Sequence, residues 1–205
     1  KVPLAELIDG WRWAREQDDE VARGRVRLHG YLGYYAAPRA DLQELVEEAA
    51  EDDVVYAGPV AKTQIAEVYE SFDVLLLALG AGRYVTSGKV FEYIATGMPI
   101  VSVHDPANAA SDVLRGHPMW FPVRDLDPRS IGEAMTAAAH AALNADDAVR
   151  DRCRAFAASY TRELQLKPRV RELSVTVGGL AFPEPETTEP TTDPTTDPTT
   201  ESTTD

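Results

Sequence analysis

The sequence predicts an α/β domain with a doubly wound, Rossmann-like parallel sheet, and two observations support this. Short apolar runs alternate with segments of helical periodicity, the order typical of parallel strands connected by helices. Residues 73–79 show almost no polar alternation. Because a strand that is apolar on both faces belongs in the middle of a covered parallel sheet, we expect a buried central strand here. The domain is expected to span residues 1–182.

The predicted elements follow one another along the chain. Leu4, Leu7 and Trp11 illustrate the helical spacing of apolar residues near the start. In the helix expected over residues 62–72, the same spacing places Tyr69 on an apolar face with Ile65, Val68 and Phe72. Helices are expected over residues 3–15, 40–51, 62–72, 89–96, 128–144 and 146–164, and strands over 25–32, 53–57, 73–79, 100–103 and 120–123. Residues 173–182 have a strand-like composition but no assigned place in the sheet.

The last segment, residues 183–205, is predicted to be a disordered tail. It repeats Thr-Thr, an acid and Pro, and it has no large apolar side chain to bury against the entropy of ordering. Seven acidic residues and no basic one lie from Glu184 onward, which is half of the formal net charge of −14. The tail fits a solubilising linker or, alternatively, a Thr-rich stretch that is glycosylated or phosphorylated.

Composition excludes several functional classes. The acidic balance argues against a nucleic-acid partner, which needs a basic surface. Cys153 has no partner cysteine, and the four histidines are scattered, so we expect no disulfide and no metal site. The longest strongly apolar run has six residues, against the ~20 that a membrane helix needs.

A glycine-rich loop follows the most apolar predicted strand and opens the next helix. Ser87 is expected to cap that helix, leaving the N–H groups of Gly88, Lys89 and Val90 without helical partners. Free amides at a helix start bind anions, and Lys89 and Arg83 add positive charge. A Walker loop would need a hydroxyl at position 90 for magnesium, so Val90 excludes a P-loop NTPase.

Glu92 lies about one turn into this helix, away from an apolar stripe expected to contain Val90, Phe91, Ile94 and Ala95. Two interpretations stay open. The carboxylate is either a bidentate acceptor for the two hydroxyls of a ribose or an ordinary surface acid near the positive helix end.

Three segments, residues 55–60 (VYAGPV), 65–77 and 87–101 (SGKVFEYIATGMPIV), resemble the donor-binding half of GT-B glycosyltransferases in order and spacing. The resemblance covers residues 1–164 and is strongest to the large retaining glycosyltransferase family 4. It implies one half of a GT-B fold.

The resemblance also implies roles for individual residues. Glu92 matches the second glutamate of the family's E-x7-E motif, which holds the donor ribose. The first glutamate should lie eight residues earlier, where this chain has Tyr84, and this departure puts the usual contact to the donor sugar in question. The remaining matches are Thr86, Ser87 and Gly88 with the diphosphate loop, Gly58, Pro59 and Val60 with the turn beside the nucleobase, and Lys1 with a basic residue on the donor phosphates.

For the whole enzyme, the resemblance implies transfer of a sugar from a nucleotide-diphosphate sugar to a glycan, lipid or small-molecule acceptor, with retention and without a metal or another cofactor. Arg83 and Lys89 are the candidate catalytic cations. The expected acceptor domain would precede this chain, so we expect the chain alone to be inactive, with any peripheral membrane contact made by the missing half. The expected compartment is the cytoplasm.

Two other functions stay open. One is another GT-B enzyme, such as a sugar-nucleotide 2-epimerase. The other is a non-catalytic nucleotide-binding or scaffold domain, which Tyr84 and the acidic tail favour.

Several further residues have a structural and a functional interpretation. His104, Asp105 and Asn108 follow a predicted strand and fit either a ligand contact or a turn with a helix cap. Trp13 is expected to be exposed or interfacial, and His29 to be a structural histidine. Arg150, Arg152 and Arg154 are expected on a solvated helix face.

Overall fold

The computed structural model of the chain describes residues 2–34, 37–80 and 86–176. The chain divides into two compact units, residues 1–165 and 166–205, and the fold below concerns the first. The predicted tail lies outside the described residues, as do Lys1, Arg83 and Tyr84.

The elements alternate between helix and strand, as predicted. The α-helices are α1 (Leu4–Gln17), α2 (Asp19–Ala22), α3 (Ala40–Glu48), α4 (Ile65–Glu70), α5 (Gly88–Thr96), α6 (Ala109–Leu114), α7 (Pro128–Asn144), α8 (Asp147–Ala158) and α9 (Arg162–Thr176). The strands are β1 (Val26–His29), β2 (Gly33–Tyr34), β3 (Ala37–Pro38), β4 (Val54–Gly58), β5 (Leu75–Ala78), β6 (Ile100–Val103) and β7 (Trp120–Pro122). Short 3-10 helices occupy Ala49–Asp52 and Lys62–Gln64.

The main strands are parallel, which confirms the predicted fold class. β1 pairs with β4, and β5, β6 and β7 form a three-stranded sheet in that order. β2 and β3 form a small antiparallel ladder. Apolar clusters lie on both faces of β6: Val101 and Val103 belong to the larger core with α1 and α7, and Ile100 belongs to a smaller core with α5 and α6. The sheet is therefore covered on both sides, as in a doubly wound domain.

The prediction that residues 73–79 form the central strand of the sheet is wrong. Within the described residues, β5 pairs with β6 alone, and β6 is the middle strand with all four residues buried. β5 alternates between buried and half-buried positions. Leu76 packs on the larger core and Leu77 belongs to the smaller one. The two-sided apolar pattern of β5 therefore reports helices on both faces and not a central place in the sheet.

The first helix packs on the longest one. Trp11 of α1 is buried, and its Nε1–H donates to the carbonyl of Asp52 at 2.7 Å. The Trp13 ring lies against Gly132 of α7 and is half-buried. Trp13 is therefore not exposed, because α7 covers part of the ring, and the alternative of an interfacial Trp13 stays a prediction.

The C-terminal helical segment also differs from its prediction. A single helix over residues 146–164 is wrong, because α8 ends at Ala158 and α9 begins at Arg162. The Ser159 hydroxyl donates to the carbonyl of Phe156 at 2.7 Å, and the Tyr160 hydroxyl ties the break to the carbonyl of Val113 at 3.0 Å. Residues 173–176, which have strand-like composition, are the end of α9. No helix among the described residues is long and apolar enough to cross a membrane.

Candidate functional site

Ser87 caps α5, as predicted. Its backbone is extended, and its Oγ accepts the N–H of Lys89 at 3.3 Å. At the other end of the helix, Gly97 adopts φ +74°, a left-handed conformation that favours glycine and ends α5 there. These two residues fix the length of the helix that carries the candidate site.

Two of the three helix-start amides that we expected to be free are already hydrogen-bonded. The Lys89 amide donates to Ser87 Oγ, and the Val90 amide donates to the Ser87 carbonyl at 3.1 Å. The capping side chain thus does what a bound anion would do. The Gly88 amide makes no hydrogen bond to a described residue, and a Cβ placed at Gly88 would meet nothing within 4 Å. An anion approaching α5 therefore finds one free amide beside open space.

Three polar groups meet on the exposed side of α5, and we call Tyr69, Lys89 and Glu92 the α4–α5 cluster. Lys89 Nζ lies 2.7 Å from Glu92 Oε2 and 3.0 Å from the Tyr69 hydroxyl. The Tyr69 hydroxyl donates to the same Oε2 atom at 2.7 Å. The side chains of Lys89 and Glu92 are about half exposed. The members of the cluster are therefore hydrogen-bonded to one another and are accessible to solvent.

The contacts of the cluster set the ionisation of its members. Burial raises the pKa of Glu92, but hydrogen bonds from Lys89 and Tyr69 outweigh it and lower the pKa overall. Burial lowers the pKa of Lys89, but its bonds to Glu92 and Tyr69 raise the pKa overall. Burial also raises the pKa of Tyr69. At neutral pH the cluster thus contains a carboxylate, an ammonium and a neutral phenol.

Tyr69 is the member that the sequence analysis missed. Its spacing placed it among the apolar residues of a helix over 62–72, whereas α4 contains no buried residue. Its ring meets Tyr93 edge to face at 5.5 Å, and Lys89 Nζ lies 5.6 Å from its centroid. Burial raises the pKa of Tyr93 to about 12. No local pattern could have found Tyr69, because its partners lie 20 and 23 residues away along the chain.

The apolar stripe expected on α5 is only partly correct. Val90 and Ile94 are buried in the smaller core, but Ala95 is exposed and Phe91 is 41% exposed. The Phe91 ring leans on Tyr160 at 5.8 Å and does not enter the core. The buried side of α5 is therefore narrower than the sequence suggested.

The turn after β4 is accessible. Gly58 has φ +72°, and its carbonyl accepts the Gly30 N–H at 3.0 Å, which ties the turn to the end of β1. A side chain at Gly58 would meet nothing within 4 Å, and Pro59 is exposed. A ligand could therefore approach this backbone closely. Of the predicted loop residues, Thr86 is half-buried next to Ser87.

The segment after β6 forms a turn and a helix cap. Asp105 Oδ1 accepts the Ala107 amide at 2.8 Å, and Asn108 Oδ1 accepts the Ala110 amide at 2.9 Å. His104 is 2% exposed, and its Nδ1 lies 3.0 Å from the Asp105 carbonyl. A pocket of about 320 Å³ lies beside it, and its lining includes Ser102, His104, Arg115 and Trp120. These contacts support the turn-and-cap interpretation for Asp105 and Asn108.

Other predicted roles differ in detail. His29 is exposed with its ring 5.8 Å from that of Phe72, so the expected structural histidine lies at the surface. Arg150 is half-buried and points to the Ala142 carbonyl at 3.5 Å, while Arg152 and Arg154 are exposed as expected. Within residues 2–34, 37–80 and 86–176, no three histidine, cysteine or acidic side chains group as a metal site. Transfer without a metal stays a prediction.

The parallel sheet, covered on both faces, together with the capped helix α5 that follows β5 along the chain, defines a Rossmann-like α/β domain. The chain belongs to the family described as Glycosyl transferases group 1, whose sequence model matches residues 6–140. The match includes the turn after β4, α5 and the whole α4–α5 cluster. No curated protein is similar enough to this chain to count as a match.

Proposed function

We propose that this chain is the donor-binding half of a retaining glycosyltransferase similar to family 4, which takes a sugar from a nucleoside-diphosphate sugar. The observation that carries the proposal is the exposed Glu92 carboxylate near the start of α5, in a chain of the group 1 glycosyltransferases. Membership of this family makes sugar transfer the general activity. The donor class and the role of each residue are the proposed part.

Glu92 has the chemistry that a ribose requires. Its lowered pKa keeps it ionised at neutral pH, and an ionised carboxylate only accepts hydrogen bonds. The two hydroxyls of a ribose are donors on adjacent carbons, so one carboxylate can accept from both. Tyr69 and Lys89 hold only one of its oxygens, Oε2.

The start of α5 would receive the diphosphate. The free Gly88 amide, the Ser87 hydroxyl and the positive end of the helix favour an anion there, and Thr86 lies beside them. As the glycosidic bond breaks, charge grows on the leaving diphosphate and the sugar becomes oxocarbenium-like. Preorganised amides and positive charge stabilise that leaving group. The Gly58–Pro59 turn would border the base, and Lys1 and Arg83 would add positive charge near the phosphates.

The acceptor belongs to the other half of the proposed enzyme. GT-B enzymes place the acceptor and much of the catalytic cleft in a separate N-terminal domain, so we propose that this chain binds donor and needs such a domain for transfer. Any contact with a membrane would be made by that domain. We propose a cytoplasmic enzyme, because nucleotide sugars are the donors. We also propose that it uses no metal, because helix amides and basic groups would stabilise the leaving diphosphate.

A thermal-shift series tests the proposal. The chain is heated with UDP, GDP, ADP and their sugar conjugates, alongside Glu92→Ala and the matched control Glu67→Ala on exposed α4. A ligand at 100 times its dissociation constant should stabilise the fold by about 2.7 kcal/mol, which is several degrees for a domain of this size. We expect one base to stabilise the wild type and the Glu67 variant but not the Glu92 variant.

The other functions predict different results. A folded chain that none of these nucleotides stabilises would point to a scaffold domain and would contradict the proposal. If the full-length protein isomerised a sugar nucleotide without any acceptor, a 2-epimerase would be the better assignment. Turnover on a simple acceptor by the 205-residue chain alone would contradict the need for a second half.

A further inference from the structure

Within the α4–α5 cluster, the two oxygens of Glu92 differ. Oε2 accepts from both the Tyr69 hydroxyl and Lys89 Nζ, each at 2.7 Å. Oε1 makes no hydrogen bond to a described residue. A carboxylate offers about four lone-pair sites, so Oε1 keeps its full capacity to accept. The cluster therefore fixes one oxygen and leaves the other for a hydroxyl donor from solution.

From this asymmetry we infer that Tyr69 is a positioning residue for donor binding, and that Lys89 is the counter-ion of Glu92 and not a ligand of the donor phosphates. The inference rests on the proposed function. Tyr69 and Lys89 act through Glu92: they hold its carboxylate so that Oε1 faces the incoming ribose. This assigns Lys89 a different role from the phosphate contact that its position at the helix start suggested.

Tyr69 is better suited than Lys89 to fix the carboxylate. An exposed ion pair between flexible side chains contributes little on its own, because both chains lose freedom to form it. Tyr69 has only two rotatable side-chain bonds before its hydroxyl, and its ring is braced by the edge-to-face contact with Tyr93 at 5.5 Å. The Lys89 ammonium also lies over that ring, 5.6 Å from its centroid. Tyr69 therefore restrains both charged partners.

The charges of the cluster argue against Lys89 as a phosphate ligand. Its ammonium is neutralised by Glu92 at 2.7 Å and bonded to Tyr69 at 3.0 Å. To reach a phosphate it would leave both partners, and the freed Glu92 carboxylate would then repel the same anion. The Gly88 amide and the capping Ser87 lie at the helix start without this conflict.

Alternatively, Tyr69 has a purely structural role: it holds α4 against α5 and takes no part in binding. The two roles predict different behaviour when the hydroxyl is removed. If the role is purely structural, removing the hydroxyl lowers the melting temperature and weakens the binding of every ligand equally. A positioning residue changes affinity only for ligands that use Glu92.

The first test compares Tyr69→Phe with the control Tyr93→Phe, whose hydroxyl does not bond to Glu92. Calorimetry measures the affinity for the nucleoside diphosphate that the wild type binds best and for its 2′,3′-dideoxy analogue. We expect Tyr69→Phe to weaken the ribose ligand about fivefold to tenfold and to leave the dideoxy ligand unchanged. Glu92→Gln should do the same, and Tyr69→Phe added to Glu92→Gln should change nothing further.

The second test uses Lys89→Met and compares the diphosphate with the monophosphate of the same nucleoside. If Lys89 acts through Glu92, the affinity for the diphosphate divided by the affinity for the monophosphate stays at its wild-type value. A tenfold fall in that ratio would make Lys89 a phosphate ligand and overturn the assignment. This experiment decides the role of Lys89 even if Tyr69→Phe fails to fold.

The outcomes separate the inference from the proposed function. If the wild type binds no nucleotide, the proposed function fails and the inference fails with it. If the wild type binds but folded Tyr69→Phe keeps wild-type affinity for the ribose ligand, only the inference fails. If Tyr69→Phe weakens the binding of the ribose and dideoxy ligands equally, the proposed function also stands, but Tyr69 has only a structural role and the inference fails.

Discussion

Gly10 of α1 and Gly132 of α7 face each other where the two helices cross. A Cβ at Gly132 would lie 2.9 Å from the Gly10 carbonyl and would overlap the Trp13 ring. A Cβ at Gly10 would lie 2.6 Å from Cβ of Ile131. The close approach of α1 and α7, which form one wall of the larger core, therefore depends on the absence of side chains at both positions.

We expect Gly132→Ala to destabilise the fold despite the better helix propensity of alanine. Overpacking a tight contact costs about 1–3 kcal/mol, and the roughly 1 kcal/mol that alanine contributes in a helix offsets only part of this cost. The added methyl must displace the Trp13 ring or separate the helices, so the midpoint of thermal unfolding should fall by several degrees. Circular dichroism on heating measures the change.

Gly88→Ala is the matched control for this variant. Gly88 is also helical, but nothing lies within 4 Å of a Cβ built there. Its melting temperature should be unchanged or slightly higher. If Gly132→Ala were as stable as Gly88→Ala, the close crossing of α1 and α7 would be wrong.

Much of the fold could be predicted from the sequence because its signals are local. The bounds of α7 were predicted correctly, since Asp127 caps the amides of Arg129 and Ser130 and Pro128 begins the helix. The break between α8 and α9 was not, because the Tyr160 hydroxyl bonds to Val113, 47 residues away. The central strand was misassigned for a similar reason: apolar periodicity reports which faces are covered, not which edges are paired.

The candidate site divides in the same way. Lys89 and Glu92 lie three residues apart on one helix, so their ion pair follows from spacing alone. Tyr69 belongs to another helix, and its periodicity suggested a core position, so only tertiary structure reveals its bonds to both. The predicted number of free amides at the helix start was too high, because the Ser87 side chain and carbonyl each accept a hydrogen bond from one of them.

His117 should make stability depend on pH. It is 5% exposed, and burial lowers its pKa from 6.5 to about 4, while its Nδ1 accepts the Met119 N–H at 3.2 Å. The unfolded chain therefore takes up the proton more readily, so this contribution to stability is complete above pH 6.5 and is lost as the pH falls to about 4. The loss should reach about 3 kcal/mol. His104, whose pKa burial also lowers, acts in the same direction.

Urea unfolding of the wild type and His117→Gln at pH 7, 5.5 and 4.5 measures this contribution. Glutamine keeps an acceptor for the Met119 amide but does not titrate in this range. We expect the stability difference between the two proteins to shift in favour of the variant as the pH falls. His29→Gln, at an exposed histidine, is the matched control. Parallel curves for His117→Gln and the wild type would show that His117 is solvated or already charged in the folded chain.

Cys153 should report on unfolding, since it is the single cysteine of the chain and is fully buried. Burial also raises its thiol pKa, which lowers the fraction of reactive thiolate. At pH 8 we expect the folded chain to react with a thiol reagent at least 100-fold more slowly than the urea-unfolded chain, since labelling then requires opening of the packed α8 face. For Gly132→Ala the logarithm of the labelling rate should rise in proportion to the lost stability, provided that global unfolding is the route to the thiol. Labelling of the native chain at the unfolded rate would contradict the placement of Cys153 in the interior.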